Sequence, residues 1–129
     1  MESYLIKLME SYISVLRKFS VFTGRADRRE FWMFALCNFA IGIVLSILSS
    51  IPVLGIIFRI VAILYSLLIL VPGIAVSIRR LHDTNRSGFF LLLALIPFVG
   101  WIIVLALCAM EGTLEDNQYG PNPKEITAA

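Results

Sequence analysis

Most of the side chains that could do chemistry fall in two short motifs, residues 22–32 and 79–88. The motifs hold three carboxylates and the chain's one histidine, which are Asp27, Glu30, Asp83 and His82. They also hold six arginines: Arg25, Arg28, Arg29, Arg79, Arg80 and Arg86. A planar guanidinium suits bidentate contact with a carboxylate or a phosphate. The motifs therefore predict ion pairing, anion binding, or both.

Two interpretations of this arginine cluster follow, and both can hold. In the first, the arginines form a structural lattice of salt bridges with Asp27, Glu30 and Asp83. In the second, the arginines that outnumber these carboxylates bind anionic lipid headgroups or another phosphate-bearing ligand. On the second interpretation the expected partners are membrane lipids, with a protein partner or a homo-oligomer as further candidates.

Catalysis has weaker support in the sequence. His82 could act as a general base oriented by Asp83 or Asp27. Adjacent His and Asp residues rarely bond each other usefully, and no nucleophile or second histidine accompanies them. One histidine with scattered carboxylates is not a recognisable metal-ligand set. We therefore predict no catalytic residue, metal or cofactor, and keep a membrane enzyme using His82 as an alternative.

The composition indicates which elements hold these motifs in place, namely long apolar helices. Apolar residues make up 59% of the chain and charged residues 16%, with a mean hydropathy of +0.88. Three apolar stretches, 31–51, 53–78 and 88–110, each exceed the roughly 18–20 residues that cross a bilayer core. Helices of a soluble bundle would keep a polar face. The pattern predicts an all-α membrane protein with three transmembrane helices. Nucleic-acid binding is not expected, because the basic residues adjoin these stretches.

The chain divides into three predicted parts. Residues 1–20 form an amphipathic helix that lies in the membrane interface or docks on the protein's own spans. Residues 21–110 form the transmembrane helical domain, whose first span opens with an Asp27–Glu30 capping box. Residues 111–129 form a polar, loosely ordered C-terminal tail.

The positions of lysine and arginine predict the orientation. Six precede Phe31, three fall in the 79–87 loop, and the 52–55 turn has none. The positive-inside rule then places the N-terminus in the cytoplasm of a multi-pass protein, and three spans place the tail outside. An alternative with four helices splits the last stretch at Pro97–Gly100 and returns the tail to the cytoplasm.

Arg59 is the charge predicted to lie within the membrane, near the outer end of the second span. In the three-span arrangement it could pair with Glu111 on the same side. An intramembrane charge also suits a small transporter or channel component, which is the first alternative function. Such a component is expected to be oligomeric, since three spans enclose little space.

Three motifs in order resemble the bacterial domain-of-unknown-function 805 family of small YhaH-like inner-membrane proteins. They are Phe22-Thr23-Gly24-Arg25 with Arg28-Arg29-Glu30-Phe31-Trp32, then Arg79-Arg80-Leu81-His82-Asp83 with Arg86-Ser87-Gly88, then Asn117-x-Tyr119-Gly120-Pro121-x-Pro123. The resemblance covers about residues 20–123. It implies a location in the bacterial cytoplasmic (inner) membrane and implies no activity. The leading hypothesis is a non-enzymatic membrane protein whose cytoplasmic arginine cluster engages anionic lipid or a partner protein.

Overall fold

The computed structural model describes residues 2–123, and within them every element is helical. The predicted all-α fold is confirmed for these residues. The elements are α1 (Glu2–Arg17), α2 (Arg28–Ser49), α3 (Gly55–Asp83), the 3₁₀ helix η1 (Gly88–Leu95) and α4 (Val99–Ala109). Residues 124–129 of the predicted tail lie outside the described part.

Helices α2 and α3 form an antiparallel pair, and both are long and apolar enough to cross a membrane. Helix α2 begins as predicted, because Asp27 accepts a hydrogen bond from the Glu30 backbone N–H at 2.8 Å. Helix α3 runs through Pro72 and ends at Asp83, five residues beyond the predicted end of the second span. Its last turns therefore carry the second arginine motif.

Residues 88–110 do not form one continuous helix. The Cys108 and Met110 carbonyls accept hydrogen bonds from Arg80, and Gly88 lies against Ile78. Both ends of the stretch thus lie beside the last turns of α3. The prediction of a third span was wrong, and the chain reverses where the alternative splits it, at Pro97–Gly100.

The reversal has a local cause. Phe98 adopts a positive φ of 63° at the tip, and a Cβ at Gly100 would overlap the Leu93 carbonyl oxygen. The two arms, η1 and α4, contain 8 and 11 residues. Each arm is too short to cross a bilayer core, which takes about 20 residues.

Helix α1 packs along the first half of α2 and runs antiparallel to it. The Cys37 thiol lies 3.9 Å from the Leu8 carbonyl oxygen, and the ring of Tyr12 stacks on Phe34 at 5.5 Å. Val15 is fully buried. The structure thus shows α1 packed on the protein's own helices, and its location in the membrane interface stays a prediction.

The end of the bundle at which α2 begins and α3 ends is called the polar end below. Residues 111–123 fold over it instead of hanging loosely. The Thr113 backbone N–H donates to the Asp83 carbonyl at 2.8 Å, and the Asn117 side chain donates to the His82 carbonyl at 2.9 Å. The described part of the tail therefore lies on the same side as the 79–87 loop. This corrects the placement that three spans imply.

The Arg59–Glu111 pair that the three-span arrangement would allow does not form. Arg59 and Arg80 lie on the same helix, 21 residues and about 30 Å apart at 1.5 Å per residue. Met110 is hydrogen-bonded to Arg80, so Glu111 follows at the polar end. Arg59 is exposed at the opposite end.

Candidate functional site at the polar end

Asp83 is the centre of the polar end. Its carboxylate pairs with Arg25 at 2.8 Å and with Arg80 through its other oxygen. The side chains of Asp83, Arg25 and Arg80 are 3%, 1% and 0% exposed. Buried charges persist only when they are paired and hydrogen-bonded, so this trio must have further partners.

Arg25 finds those partners in the tail. Its guanidinium donates to the backbone carbonyls of Thr113, Glu115 and Gly120, the last two at 2.9 and 3.2 Å. One nitrogen also donates to the Asp83 carbonyl at 3.3 Å. A single arginine therefore ties the tail to the end of α3.

Arg80 joins the hairpin formed by η1 and α4 to the same centre. Its Nε donates to the Cys108 carbonyl at 2.8 Å, and Nη2 donates to the Met110 carbonyl. Carbonyls at the end of a helix have no partner within the helix and carry partial negative charge. Nη1 also reaches the Ala26 carbonyl at 3.2 Å. Arg80 thus supplies the end of α4 with both a donor and a compensating charge.

Gly112 allows the tail to approach this centre. A Cβ at that position would overlap the Asp83 carboxylate. A glycine is required here because of this close approach.

Arg79 forms a second pair, with Glu30 at 2.8 Å, and joins the end of α3 to the start of α2. Its side chain is 2% exposed. Within residues 2–123, its Nε and Nη2 have no hydrogen-bond partner. Unpaired buried donors carry a desolvation cost of about 1–3 kcal/mol, so Arg79 is less well satisfied than Arg25 or Arg80.

His82 is held by its neighbours in a way that differs from a general base paired with a carboxylate. Its ring stacks on Tyr119 at 3.9 Å with an interplanar angle of 1°, and Nδ1 lies 2.9 Å from the Gly24 carbonyl oxygen. Asp83 is engaged by the arginines, and Asp27 caps α2. Neither carboxylate orients the imidazole in the described structure.

The six arginines of the two motifs therefore divide into two groups. The locked arginines, Arg25, Arg79 and Arg80, are buried in ion pairs. The outer arginines are the exposed Arg28 and Arg29 and the half-buried Arg86. Among the described residues, the outer arginines form no ion pair within 4 Å. Asp27, predicted as an ion-pair partner, acts as the helix cap.

A basic cleft of about 380 Å³ lies between α1 and the start of α2. It brings four residues of the first motif together with residues outside the motifs. The motif residues are Arg25, Asp27, Arg29 and Glu30, and the others include Lys7, Glu10, Ser11, Ser14 and Lys18. The signal was present in the polar stripe of the amphipathic helix, of which Lys7 and Ser14 are members. That stripe faces the arginine motif because α1 docks on α2.

The comparisons with known proteins agree with the sequence motifs. The family model described as "Protein of unknown function (DUF805)" matches residues 19–121. The inner membrane protein YhaI of Escherichia coli K12 is 43% identical over 116 residues, which are 90% of this chain and 97% of the relative.

The inner membrane protein YhaH of the same organism is 42% identical over 122 residues, with 90% of this chain and 98% of the relative covered. The uncharacterized protein YiiR is 28% identical over 133 residues, with 81% and 87% covered. No solved structure matches the chain significantly. With its motifs, its two long apolar helices and these relatives, the chain belongs to the DUF805 family, which includes bacterial inner-membrane proteins.

Proposed function

We propose that this chain is a multi-pass protein of the bacterial inner membrane that binds anionic phospholipid headgroups in its basic cleft, without catalysing a reaction. The locked arginines hold the fold together in this proposal. Arg29, Lys7 and Lys18 of the basic cleft meet the lipid.

The distribution of basic residues supports a cytoplasmic polar end. The two basic motifs and the basic end of α1 meet there, and cytoplasmic segments of membrane proteins carry an excess of Lys and Arg. The exposed ring of Trp32 follows one turn after Arg28 and Arg29 on α2. Tryptophan is enriched at the headgroup level, so the cleft and the lipid phosphates share one depth.

The observation that carries the proposal is which charged residues of the cleft are in ion pairs and which are not. Arg25 and Glu30 are engaged by Asp83 and Arg79, whereas Lys18 and Arg29 form no ion pair within the described part of the chain. The hydroxyls of Ser11 and Ser14 line the same cleft. Glu10 and Asp27 also line the cleft, so its three cations outside ion pairs, Lys7, Lys18 and Arg29, exceed these two carboxylates by one charge. A phosphate there would meet those cations and two hydroxyl donors, which is the chemistry that holds a phosphate group.

A titration with short-chain lipids tests this proposal. The purified protein in neutral detergent is titrated with phosphatidylglycerol and with phosphatidylcholine, and bound lipid is counted by native mass spectrometry. Each basic residue near a lipid surface contributes about 1 kcal/mol, so Lys18→Gln with Arg29→Gln should weaken phosphatidylglycerol binding roughly tenfold or more.

Arg59→Gln is the matched control, because it removes an exposed arginine at the opposite end. It should leave the preference for phosphatidylglycerol unchanged. Equal losses in the double variant and the control would contradict the proposal. If the chain shows no lipid preference and instead captures a protein only when Lys18 and Arg29 are present, the ligand of the cleft is a protein partner and not a lipid.

The alternative functions have less support. A membrane enzyme using His82 lacks an orienting carboxylate among the described residues, since Asp83 and Asp27 have other roles. A transporter using Arg59 would need that residue on a path through the protein, and Arg59 lies exposed near the start of α3.

A further inference from the structure

A large groove opens between α3 and η1, away from the basic cleft. Its volume is about 970 Å³, at the upper end of the roughly 300–1,000 Å³ range of ligand pockets. Helix α2 contributes Phe34 and Asn38 to its lining, and the lining shares no residue with the basic cleft. Leu70 on α3 and Leu92 on η1 line the groove and are 56% and 59% exposed, so it is open along its side.

The length of the groove matches one leaflet of a bilayer. Its lining runs along α3 from His82 at the polar end to Ser66, which is 16 residues or about 24 Å at 1.5 Å per residue. A leaflet with its headgroups is about 20–22 Å deep, half of the full 40–45 Å. A membrane-crossing helix from a second copy would need a groove along the whole span. A phospholipid chain needs only this depth.

The polar end of the groove offers a hydrogen-bond acceptor. A carbonyl oxygen can only accept, so Nδ1 of His82 carries the hydrogen that Gly24 accepts at 2.9 Å. In the neutral imidazole, Nε2 then has a lone pair and no hydrogen. The stack on Tyr119 fixes the plane of the ring, and both rings line the groove. The complementary headgroup is one that carries a hydroxyl or ammonium donor.

We infer that this groove binds one phospholipid of the leaflet at the polar end. An acyl chain lies along α3 between α2 and η1, and a donor of the headgroup bonds Nε2 of His82. Phosphatidylethanolamine has such a donor and phosphatidylcholine has none. The inference goes beyond the basic cleft, because a lipid can occupy either site without the other.

Gly73 provides a way to fill the groove without moving the backbone. It lies in the lining, and a Cβ there would touch only Phe34, at 3.8 Å. Gly73→Leu should therefore place its side chain where the acyl chain lies. Ala40→Leu is the matched control, because Ala40 is exposed on α2 and lines neither this groove nor the smaller cavity beside it.

The experiment uses the full chain in nanodiscs with phosphatidylethanolamine that carries a photoreactive diazirine at mid-chain. Cross-linked residues are mapped by mass spectrometry. Labels should concentrate on residues 66–78 and 89–95, and Gly73→Leu should reduce them by about tenfold. Ala40→Leu and the Lys18→Gln, Arg29→Gln double variant should leave them unchanged, so failure at the basic cleft and failure here are distinguishable.

A second arm tests the headgroup. His82→Phe keeps an aromatic ring against Tyr119 and removes the Nε2 acceptor together with the Nδ1 hydrogen bond to Gly24. Labelling by the phosphatidylethanolamine probe should fall about three- to tenfold, as for one lost hydrogen bond to the lipid. The same diazirine on phosphatidylcholine should label the wild type as weakly as that variant. If Gly73→Leu fails to fold, Ser66→Phe at the deep end should give the same loss.

Labels spread evenly over the apolar faces of α2 and α3 would overturn the inference, as would equal labelling in Gly73→Leu and the wild type. Cross-links between two copies through α3 and η1 would also overturn it, because they would make a second copy the occupant.

Discussion

The polar end and the opposite half of the bundle are packed in different ways. The opposite half, which contains residues 35–71, is called the open half below. From residue 72 to residue 84 most side chains of α3 and its cap are buried, whereas from residue 35 to residue 71 Gly55 alone is buried. Lipid tails are as apolar as leucine, so apolar helix faces in a bilayer need no protein cover. Buried charges, in contrast, need partners inside the protein. The comparison indicates that buried polar contacts, more than apolar packing, hold this fold together.

Arginines show the same contrast within the polar end. Arg25 and Arg80 each bond Asp83 and several backbone carbonyls, and these contacts close the tail and the hairpin onto α3. Arg28 and Arg29 come from the same short motif as Arg25 and remain exposed. Residue type therefore does not decide the role of an arginine here. The carboxylates and carbonyls brought within reach decide it.

The largest effect is expected from Asp83→Asn. The amide keeps the shape of the side chain and removes its charge, which leaves Arg25 and Arg80 buried with no carboxylate between them. Breaking a buried pair in this way should lower the free energy of unfolding by about 3–5 kcal/mol. Unfolding in detergent micelles with increasing sodium dodecyl sulfate measures it.

Asp116→Asn is the control for that change, because Asp116 is exposed and lies in the same tail region. Its effect should stay within about 0.5 kcal/mol, as for other surface substitutions. Similar losses in the two variants would refute the central role given to Asp83.

A smaller loss is expected from Gly112→Ala. The added methyl would overlap the Asp83 carboxylate, so the tail must shift, at about 1–3 kcal/mol. Gly42→Ala in the open half should instead be neutral or gain about 0.5–1 kcal/mol from helix propensity, since nothing lies near its Cβ. The unfolding titration compares both, and limited proteolysis reports whether the tail is released. The same sign of change in both variants would remove the contrast between the two regions.

The smallest effect is expected from Tyr65→Phe in the open half. Its hydroxyl bonds the Tyr12 hydroxyl at 2.6 Å and the Asn38 side chain. Hydrogen bonds between helices in membranes average about 0.6 kcal/mol, so the loss should be near 1 kcal/mol. A double-mutant cycle with Tyr12→Phe isolates the coupling, and Tyr4→Phe, at an exposed position, is the control. A loss as large as that of Asp83→Asn would mean that the open half holds the fold equally.

The sequence predicted α1, α2 and the Asp27 cap because these depend on local patterns. A polar stripe every three or four residues identifies α1, and Asp27 three residues before Glu30 identifies the start of α2. The family followed from three motifs in order, and the relatives bear it out.

The hairpin and the tail depend on contacts that sequence patterns do not contain. A run of apolar residues from 88 to 110 suits one crossing helix and two short arms equally well. The difference lies in Arg80, which bonds the Cys108 and Met110 carbonyls from a distant part of the chain. Likewise, residues 111–123 are polar and resemble a loose tail until Arg25 is placed among their carbonyls.

The side of the membrane on which the tail lies tests the hairpin of η1 and α4 most directly. Single cysteines replace Asp116 in the tail, Arg17 at the polar end and Leu54 at the opposite end. Each is exposed to a membrane-impermeant maleimide in inside-out and right-side-out vesicles, with the wild type as background for Cys37 and Cys108. Positions 116 and 17 should react in the same vesicles, and position 54 should react in the other. Reaction of position 116 together with position 54 would contradict the hairpin and restore a third crossing helix.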